Sequence, residues 1–186
     1  MQHFVATVTS PVGRWGVEGT ERAITRVWMP SEHPRATRAT TPSAVGEAAH
    51  QLAEYFAHRR RDFTIVLDDV EATDFQREVW AALCTIPYGE VRTYGEVARS
   101  IGRPRASRAV GQANHVNPWP VFVPCHRVVA ADGLGGYGGG AAVKEYLLAL
   151  ERAPTLSVED DRVAGRSDRS AGGEPSGHRP RPCETG

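Results

Sequence analysis

The stretch Thr93-Tyr-Gly-Glu-Val-Ala-Arg-Ser-Ile-Gly-Arg-Pro-Arg-Ala-Ser-Arg-Ala-Val-Gly-Gln-Ala-Asn114 decides the fold class, because it contains two helix signals separated by a short turn. Thr93 and Glu96 form a capping-box pattern, which predicts that a first helix begins after Thr93. Pro104 suits the first turn of a second helix, which we predict over 105–114. This layout is a helix-turn-helix, which many proteins use to bind DNA and many others use only for packing.

The second helix of this pair is rich in small side chains. Helical spacing places Ala106, Ala109, Val110 and Ala113 on one side, and we predict that this side faces inward. Together with Gly111, the small residues Ala109 and Ala113 indicate that another surface approaches the helix closely. That surface is either the first helix of the pair or the backbone of a nucleic acid.

The charge distribution favours a nucleic acid, although the whole chain has a formal net charge of +0. Residues 87–130 carry six arginines and two glutamates, and six minus two leaves a local excess of four positive charges. A basic side on a neutral chain is typical of proteins that face DNA. The alternative is an arginine-rich face that contacts only solvent.

The composition limits the size and the location of the protein. With 186 residues, of which 40% are hydrophobic, the chain is long enough for one compact domain or two small ones. No apolar run approaches the ~18 residues that a membrane-spanning helix needs, so we expect no membrane association. The N-terminus lacks a secretory signal, and three widely spaced cysteines, Cys84, Cys125 and Cys183, argue against a disulfide framework. We therefore expect a cytoplasmic protein.

The N-terminal part of the chain predicts a small α/β domain. Residues 2–30 alternate weakly between apolar and polar side chains around turn residues, which predicts a three-stranded meander. Residues 31–42 predict a loop, and the spacing of apolar residues over 45–58 predicts a helix. A further strand is predicted over 63–67. We place the whole domain at 1–70.

The second domain is predicted over 71–152, and it is mainly helical. Thr73 and Gln76 form another capping box, which predicts the first helix of this domain. A final helix is predicted over 141–151. The remaining residues, 153–186, are rich in Pro, Gly, Ser, Arg and Asp, and we predict that this tail is disordered.

The segment Val121-Phe-Val-Pro-Cys-His-Arg-Val-Val129 carries the candidate nucleophile, Cys125. A thiol needs help to become a thiolate at neutral pH, and His126 is the nearest base. The apolar run predicts two short strands, but adjacent residues of a strand point to opposite faces. A Cys125–His126 relay therefore requires either a bend after Pro124 or a bridging water.

A histidine in such a relay needs its second ring nitrogen oriented, normally by a carboxylate. Glu151, Glu145 and Asp132 are the carboxylates nearest in sequence. The alternative interpretation of the Cys-His dipeptide is two buried core residues without a chemical role.

The glycine-rich segment 133–140 contains the pattern G-x-G-x-x-G, which also occurs in dinucleotide-binding sites. We reject that function because no second parallel strand and no suitably placed acidic residue follow. The segment instead predicts a flexible wall around a planar ligand, with Tyr137 as its bulky group. We expect no cofactor and no metal site, since the histidines of the first domain lack nearby cysteines.

Taken together and in order, the motifs over about 73–151 resemble those of the O6-alkylguanine-DNA alkyltransferases. The matching motifs are Thr73-Asp-Phe-Gln76, Ile86-Pro-Tyr-Gly89, Thr93-Tyr-Gly-Glu-Val-Ala98, Arg108-Ala-Val-Gly111, Asn117-Pro118, Val123-Pro-Cys-His-Arg-Val128, Gly136-Tyr137 and Lys144-x-x-Leu-Leu-x-x-Glu151. The resemblance implies an α+β fold, in which a small ribonuclease-H-like α/β domain precedes a mainly helical, winged helix-turn-helix-like catalytic domain.

The same resemblance implies single-step DNA repair without a cofactor. Cys125 would take the alkyl group from O6 of a damaged guanine, and possible O4-alkylthymine repair stays open. The thioether product has no labile bond, so one molecule would repair one lesion. His126 would act as base through a water, Glu151 would orient His126, Asn117 would shape the supporting turn, and Tyr94 would assist the leaving base.

The resemblance also implies how the damaged guanine is held. The base must leave the duplex, because its O6 atom is otherwise out of reach. The groups that would contact the flipped guanine belong to Cys125, Val128, Gly136, Tyr137 and Gly138.

For the DNA itself, the resemblance implies that a monomer binds the minor groove of the double strand. Arg108 would enter the base stack in place of the flipped base, and Tyr94 would crowd the 3′ phosphate and supply a proton towards guanine N3. The other residues implied in DNA binding are Thr93, Arg103, Ala109, Gly111 and Ala113.

The chain departs from the family pattern at three places. Segment 133–137 is one residue shorter than usual, Gly138 replaces a common Ser or Ala, and Trp119 is bulky. An alternative function is a lesion-sensing DNA-binding protein without alkyl transfer, but such proteins lack the acceptor cysteine. A thiol hydrolase is disfavoured, because no triad or oxyanion-hole layout is present.

Overall fold

The computed structural model describes residues 3–32 and 44–152. Its elements follow the order β1 (Phe4–Ser10), β2 (Gly13–Gly19), β3 (Ile24–Trp28), α1 (Ala44–Phe56), α2 (Asp74–Cys84), β4 (Arg92–Thr93), α3 (Tyr94–Ser100), α4 (Ser107–His115), a 3-10 turn (Cys125–Arg127), β5 (Val128–Val129) and α5 (Ala141–Arg152). This is a mixed arrangement of helices and small sheets. Most of the predicted loop over 31–42 and all of the predicted tail over 153–186 lie outside the described residues.

The three-stranded meander is confirmed. Strands β1, β2 and β3 pair antiparallel in sequence order, with Phe4 opposite Gly19 and Ser10 opposite Gly13. Gly13 has a φ of 126°, a conformation that side-chain-bearing residues rarely adopt, and it makes the tight turn between β1 and β2. Helix α1 packs on β1 and β2, and it buries Leu52 and Tyr55 completely.

The predicted strand over 63–67 is wrong, because only Leu67 forms a bridge, with Ile24 of β3. The reason is visible at Thr64, whose backbone pairs with a side chain instead of a neighbouring strand. The Thr64 N–H donates to Gln51 Oε1 at 2.9 Å, and the Gln51 amide donates to the Thr64 carbonyl at 3.4 Å. The buried glutamine of α1 thus takes the place of a strand partner.

Both capping boxes are confirmed. At the start of α2, the Thr73 side chain accepts from the Gln76 N–H, and the Gln76 side chain accepts from the Thr73 N–H. Thr93 and Glu96 make the same reciprocal pair at the start of α3. Each box satisfies two backbone donors that the first turn of a helix leaves without a partner.

Helix α4 begins at Ser107, so the predicted start at 105 and the predicted place of Pro104 in its first turn are wrong. The backbone after α3 instead forms a closing turn, in which Gly102 has a φ of 72° and the Arg103 N–H donates to the Ala98 carbonyl at 2.8 Å. Pro104 lies in the turn that follows. The prediction that Ala109 faces inward is also wrong, since Ala109 is exposed, whereas Val110 and Ala113 are buried.

A single hydrophobic cluster runs through both predicted domains. Trp119 connects them: its ring lies 5.6 Å from that of Trp80, and its indole N–H donates to the Ile24 carbonyl at 2.8 Å. The Val27 N–H adds a second link to this segment through the Pro118 carbonyl at 2.8 Å. None of the helices in the described ranges combines the length and hydropathy that crossing a membrane requires.

We expect Trp119→Phe to destabilise the protein by about 2 kcal/mol, because it removes the indole hydrogen bond and leaves a cavity in the shared core. The measurement is urea unfolding followed by circular dichroism. Trp28→Phe is the matched control, since Trp28 is partly exposed and its indole donates to Glu18 instead. Equal destabilisation by both changes would contradict the connecting role of Trp119.

Candidate active site

The segment around Cys125 does not form two strands as predicted. Cys125, His126 and Arg127 make one 3-10 turn after Pro124, and only Val128–Val129 forms a strand, which pairs parallel with β4. The backbone therefore bends after Pro124. A bend at this point was one of the two ways, besides a bridging water, in which a Cys125–His126 relay could form. Both Cys125 and His126 are buried in this turn.

The turn over 117–123 supports this bend from the side. Asn117 Nδ2 donates to the Val123 carbonyl at 2.9 Å, and Asn117 Oδ1 accepts from the Trp119 N–H at 3.0 Å. Between them, Val121 has a φ of 78°, a strained conformation for a β-branched residue. Such a conformation persists only where the surrounding structure fixes it. Val121 is buried, and the Asn117 side chain bonds to Trp119 and Val123 on either side of it in the sequence.

Glu151 is the carboxylate that meets His126. His126 Nε2 lies 2.7 Å from Glu151 Oε1, and both side chains are almost fully buried. Of the two other candidates, Glu145 and Asp132, both are exposed to solvent. Since a carboxylate oxygen only accepts, Nε2 carries the proton in this pair and Nδ1 is left as the acceptor.

Three more groups donate to the same carboxylate. Arg127 holds it from two sides, with Nη2 at 2.9 Å from Oε1 and Nε at 2.9 Å from Oε2. The Gly89 N–H donates to Oε2 at 3.1 Å, and the Tyr55 hydroxyl donates to Oε1 at 2.8 Å. Burial favours the neutral carboxyl, but the hydrogen bond from His126 and the hydrogen bonds and charge of Arg127 outweigh it and hold the pKa of Glu151 well below its usual range.

His126 is neutral in this setting. Burial lowers the pKa of the imidazole below its usual value, and the hydrogen bond and charge of Glu151 oppose that shift only in part. The Nδ1 atom is buried and has no hydrogen-bond partner among the described residues. A bare, buried Nδ1 is the acceptor that a water-bridged proton relay needs.

Cys125 is a free thiol that is 5% exposed. Burial raises the pKa of the thiol to about 11, while a hydrogen bond from Asn117 and the charge of Lys144 act in the opposite direction. The thiol is therefore protonated at neutral pH, and its proton must leave before sulfur can act as a nucleophile.

The thiol opens into a pocket of about 470 Å³. Its walls are Tyr94, Gly111, Gln112, Asn114, His115, Cys125, Gly136, Tyr137 and Gly138. The predicted base-binding residues are thus brought together, apart from Val128, which is buried and does not line the pocket. The Tyr94 hydroxyl donates to the Gly136 carbonyl at 3.3 Å and so closes one side.

Gly138 faces the N-terminal part of the chain. A Cβ atom at this position would lie 2.8 Å from Met29 Cε, too close for an ordinary contact. Because Met29 Cε is the far end of a flexible side chain, it can move aside, and this contact alone does not require a glycine where the resembled family often has Ser or Ala.

A second groove, of about 550 Å³, lies beside the pocket and shares Tyr94 and Gly111 with it. Thr93 and Arg108 also line this groove, and Arg108 is exposed. Its remaining lining residues are Gly95, Arg99, Ser107, Ala130 and Ala131.

Two predicted DNA-binding residues lie elsewhere. Ala113 is 2% exposed and its carbonyl accepts from the Trp80 indole at 2.9 Å, so its side chain cannot contact DNA and the prediction for Ala113 is wrong. Arg103 is paired with Glu78 at 2.9 Å, outside the groove. Ala109, in contrast, is exposed on α4, as a contact with an external surface requires.

Sequence reasoning missed four polar residues of the site: Tyr55, Asn114, Arg127 and Lys144. Two of these residues could have been found from the sequence, because each places a charge where the pattern predicts a buried side chain. Arg127 follows an apolar run, and Lys144 lies between apolar residues of α5. Both side-chain polar atoms of Asn114 are buried at the pocket without a partner in the described part of the chain. No group of three metal-ligating side chains occurs within 3–32 and 44–152.

Lys144 holds the glycine-rich segment against the site. Its ammonium donates to the carbonyls of Val128, Leu134 and Gly136 at 2.6, 2.7 and 3.1 Å. The side chain is completely buried, and burial lowers its pKa to about 8. One side chain thus joins β5 to the wall of the pocket.

Known proteins with similar sequences share this site region. The family model described as "6-O-methylguanine DNA methyltransferase, DNA binding domain" matches residues 74–153. A methylated-DNA–protein-cysteine methyltransferase of Mycolicibacterium paratuberculosis is 49% identical over 150 residues, which cover 78% of this chain and 90% of the relative. The constitutive enzyme of that name from Bacillus subtilis is 40% identical over 160 residues, 81% of this chain and 96% of the relative.

Solved structures agree with the sequence comparison. The crystal structure of Mycobacterium tuberculosis O6-methylguanine methyltransferase has a TM-score of 0.71 at 43% identity, and the match covers 83% of this chain and 97% of that one. A second structure of the Mycobacterium tuberculosis protein, in complex with DNA, also has a TM-score of 0.71, at 47% identity, covering 80% and 93% of the two chains.

We expect Lys144→Met to destabilise the protein by about 3 kcal/mol and to loosen the pocket wall, because three carbonyls lose a shared charged donor. The measurement is hydrogen exchange, in which the amides over 134–138 should exchange faster than in the unchanged protein. Arg152→Met, at the exposed end of the same helix, is the control. Unchanged exchange over 134–138 would show that Lys144 does not hold this segment.

Proposed function

Because the chain belongs to the 6-O-methylguanine DNA methyltransferase family, we propose that it repairs DNA by moving the alkyl group of O6-alkylguanine onto Cys125. The observation that carries this proposal is the position of a free, buried thiol in a pocket whose neighbouring histidine is paired with a buried carboxylate. The protein acts as a methylated-DNA–protein-cysteine methyltransferase, and each molecule reacts once.

The reaction begins with the proton of the Cys125 thiol. It moves through a water to His126 Nδ1, the buried ring nitrogen without a partner in the described residues. Glu151 holds the Nε2–H side of the ring and stabilises the positive charge that the imidazole gains. The sulfur electron pair then forms a bond to the alkyl carbon, while the bond from that carbon to O6 breaks.

The leaving guanine takes the electrons of the broken bond and needs one proton in return. Tyr94 delivers it towards guanine N3 and is reprotonated by solvent, and the proton held on His126 is released in turn. Tyr94 suits this place because it lines both the thiol pocket and the adjoining groove. The thioether on Cys125 has no acidic hydrogen and no leaving group, so the protein is consumed.

The adjoining groove is the surface that we propose for double-stranded DNA, which it meets through the minor groove. Arg108 is exposed there and fills the space of the flipped base, and Thr93 and Ala109 lie beside it. Gly111 lies against the ring of Tyr94, where an added Cβ atom would make an ordinary contact at 3.8 Å. The flipped guanine rests against Gly136, Tyr137 and Gly138.

We further propose a two-part organisation, with a ribonuclease-H-like domain over 1–70 and a winged helix-turn-helix-like domain over 71–152. In support, the meander and α1 form one layered unit, and α3 and α4 form the helix pair. We also propose that the protein acts as a monomer, as its resemblance to the family implies. The sparse cysteines and the lack of a secretory signal support a location in the cytoplasm.

We expect the protein to gain the mass of one methyl group when it is mixed with duplex DNA containing O6-methylguanine. Intact mass spectrometry measures the gain, and peptide mapping should place it on Cys125. Cys125→Ala should bind the DNA without any gain. Binding by the unchanged protein with no adduct would instead support the lesion-sensing function, and repeated turnover with no adduct would support a thiol hydrolase.

We expect the rate of transfer to fall at acidic pH, with a midpoint below the ordinary imidazole pKa of about 6.5. The reason is that His126 must be neutral to accept the thiol proton, and burial lowers its pKa below the ordinary value of about 6.5. Rapid-quench measurement of adduct formation checks this. A fall that is half complete near pH 6.5 or above would contradict a base with a lowered pKa.

We expect Arg108→Ala to slow transfer from duplex DNA by roughly tenfold or more, because the flipped state loses the side chain that replaces the base in the stack. Transfer from the free base O6-methylguanine should stay unchanged, since no flipping is needed. Arg105→Ala, an exposed arginine on the turn before α4, is the control. Equal slowing with duplex DNA and with the free base would instead indicate that Arg108 takes part in the transfer step itself.

A further inference from the structure

The described structure places a tyrosine of the N-terminal part inside the proposed proton relay. Tyr55 belongs to α1, its side chain is completely buried, and its hydroxyl lies 2.8 Å from Glu151 Oε1. The two residues are 96 positions apart in sequence. Burial and the nearby charge of Glu151 raise the pKa of Tyr55 well above its usual value, so the hydroxyl keeps its proton and donates.

The position of this hydrogen bond gives it a chemical consequence. Glu151 Oε1 accepts from three donors: the Tyr55 hydroxyl at 2.8 Å, the His126 ring at 2.7 Å and Arg127 Nη2 at 2.9 Å. Donors that share one oxygen compete for its negative charge. Each hydrogen bond to that oxygen therefore weakens the support that the carboxylate gives to a protonated imidazole.

We propose that Tyr55 is a positioning residue of the transfer reaction, which fixes the carboxylate of Glu151 and limits how strongly that carboxylate favours protonated His126. This inference rests on the proposed function, because it assigns part of the relay to the N-terminal segment. Tyr55 acts through Glu151 and is not one of the residues that line the pocket of Cys125.

A purely structural role is the competing explanation. The Tyr55 ring packs against Phe56, Phe63 and Tyr88, with centroid distances of 5.5, 5.6 and 6.2 Å. Those contacts belong to the ring, whereas the relay contact belongs to the hydroxyl. Tyr55→Phe separates the two, since it keeps the ring and removes only the oxygen.

The control is Tyr146→Phe. Tyr146 lies on α5, and its ring is 6.4 Å from that of Phe56 on α1, so this change removes a hydroxyl from the same contact between helices. No hydrogen bond joins Tyr146 to Glu151 in the described structure. Any loss that comes only from weaker packing between α1 and α5 should appear in both variants.

The experiment measures the rate of adduct formation on Cys125 from pH 5 to pH 8 for the unchanged protein and both variants. Tyr55→Phe should react about three- to tenfold more slowly at pH 7.5, the scale of one ordinary hydrogen bond, because the loss of a donor that fixes the Glu151 carboxylate outweighs the gain in basicity of His126. The pH at which its rate falls by half should also move upward, because the Glu151 carboxylate then favours the protonated ring more strongly. Tyr146→Phe should match the unchanged protein in both quantities.

An unchanged midpoint in Tyr55→Phe would overturn the inference, whether or not the variant is less stable in urea. A second readout does not depend on transfer: the imidazole of His126, followed by NMR, should titrate at higher pH in Tyr55→Phe. If the unchanged protein forms no adduct, the proposed function fails, and the NMR titration alone then decides the role of Tyr55.

Discussion

The buried carboxylate of Glu151 is the constraint on which the rest of the structure depends. An isolated charge in a protein interior costs many kcal/mol, and it is tolerated only where donors surround it. Here the donors come from α1, from the loop after α2 and from the turn that carries the thiol. The last turn of α5 thus draws three distant segments to one point. Removing any of these donors would leave part of a buried charge without a partner, which is why this interaction fixes the geometry around Cys125.

The same carboxylate contacts the His126 imidazole, the group that takes the proton of the Cys125 thiol in the proposed reaction. Burial acts on both Cys125 and His126, raising the pKa of the thiol and lowering the pKa of the imidazole, so both are neutral before reaction. Moving a proton from the thiol to the imidazole is uphill with these pKa values, and the pairing with Glu151 lowers that cost because it stabilises the protonated ring. The pocket proposed for the base and the groove proposed for DNA meet at Tyr94, which lines both.

Local sequence signals predicted the local features. The capping boxes at Thr73 and Thr93 were right because the side chain and backbone that satisfy each other lie within one helical turn. The strand over 63–67 failed because a glutamine from α1 satisfies its backbone, and the start of α4 failed because the turn after Gly102 closes on α3. Glu151 was one of three candidate carboxylates, and the family motif selected it. The sequence could not identify Tyr55 as a hydrogen-bond partner of Glu151. No spacing rule connects two side chains that are 96 residues apart and meet only after both parts of the chain have packed.

The central claim is that Glu151 holds His126 as a neutral ring with its proton on Nε2 and with Nδ1 bare. The ¹⁵N chemical shifts of the His126 imidazole, measured at pH 7 on the protein without DNA, test this most directly. We expect a protonated Nε2 and an unprotonated Nδ1, and we expect the ring to take up a second proton only below the ordinary imidazole pKa of about 6.5. A doubly protonated ring at pH 7, or a proton on Nδ1 with Nε2 bare, would contradict it.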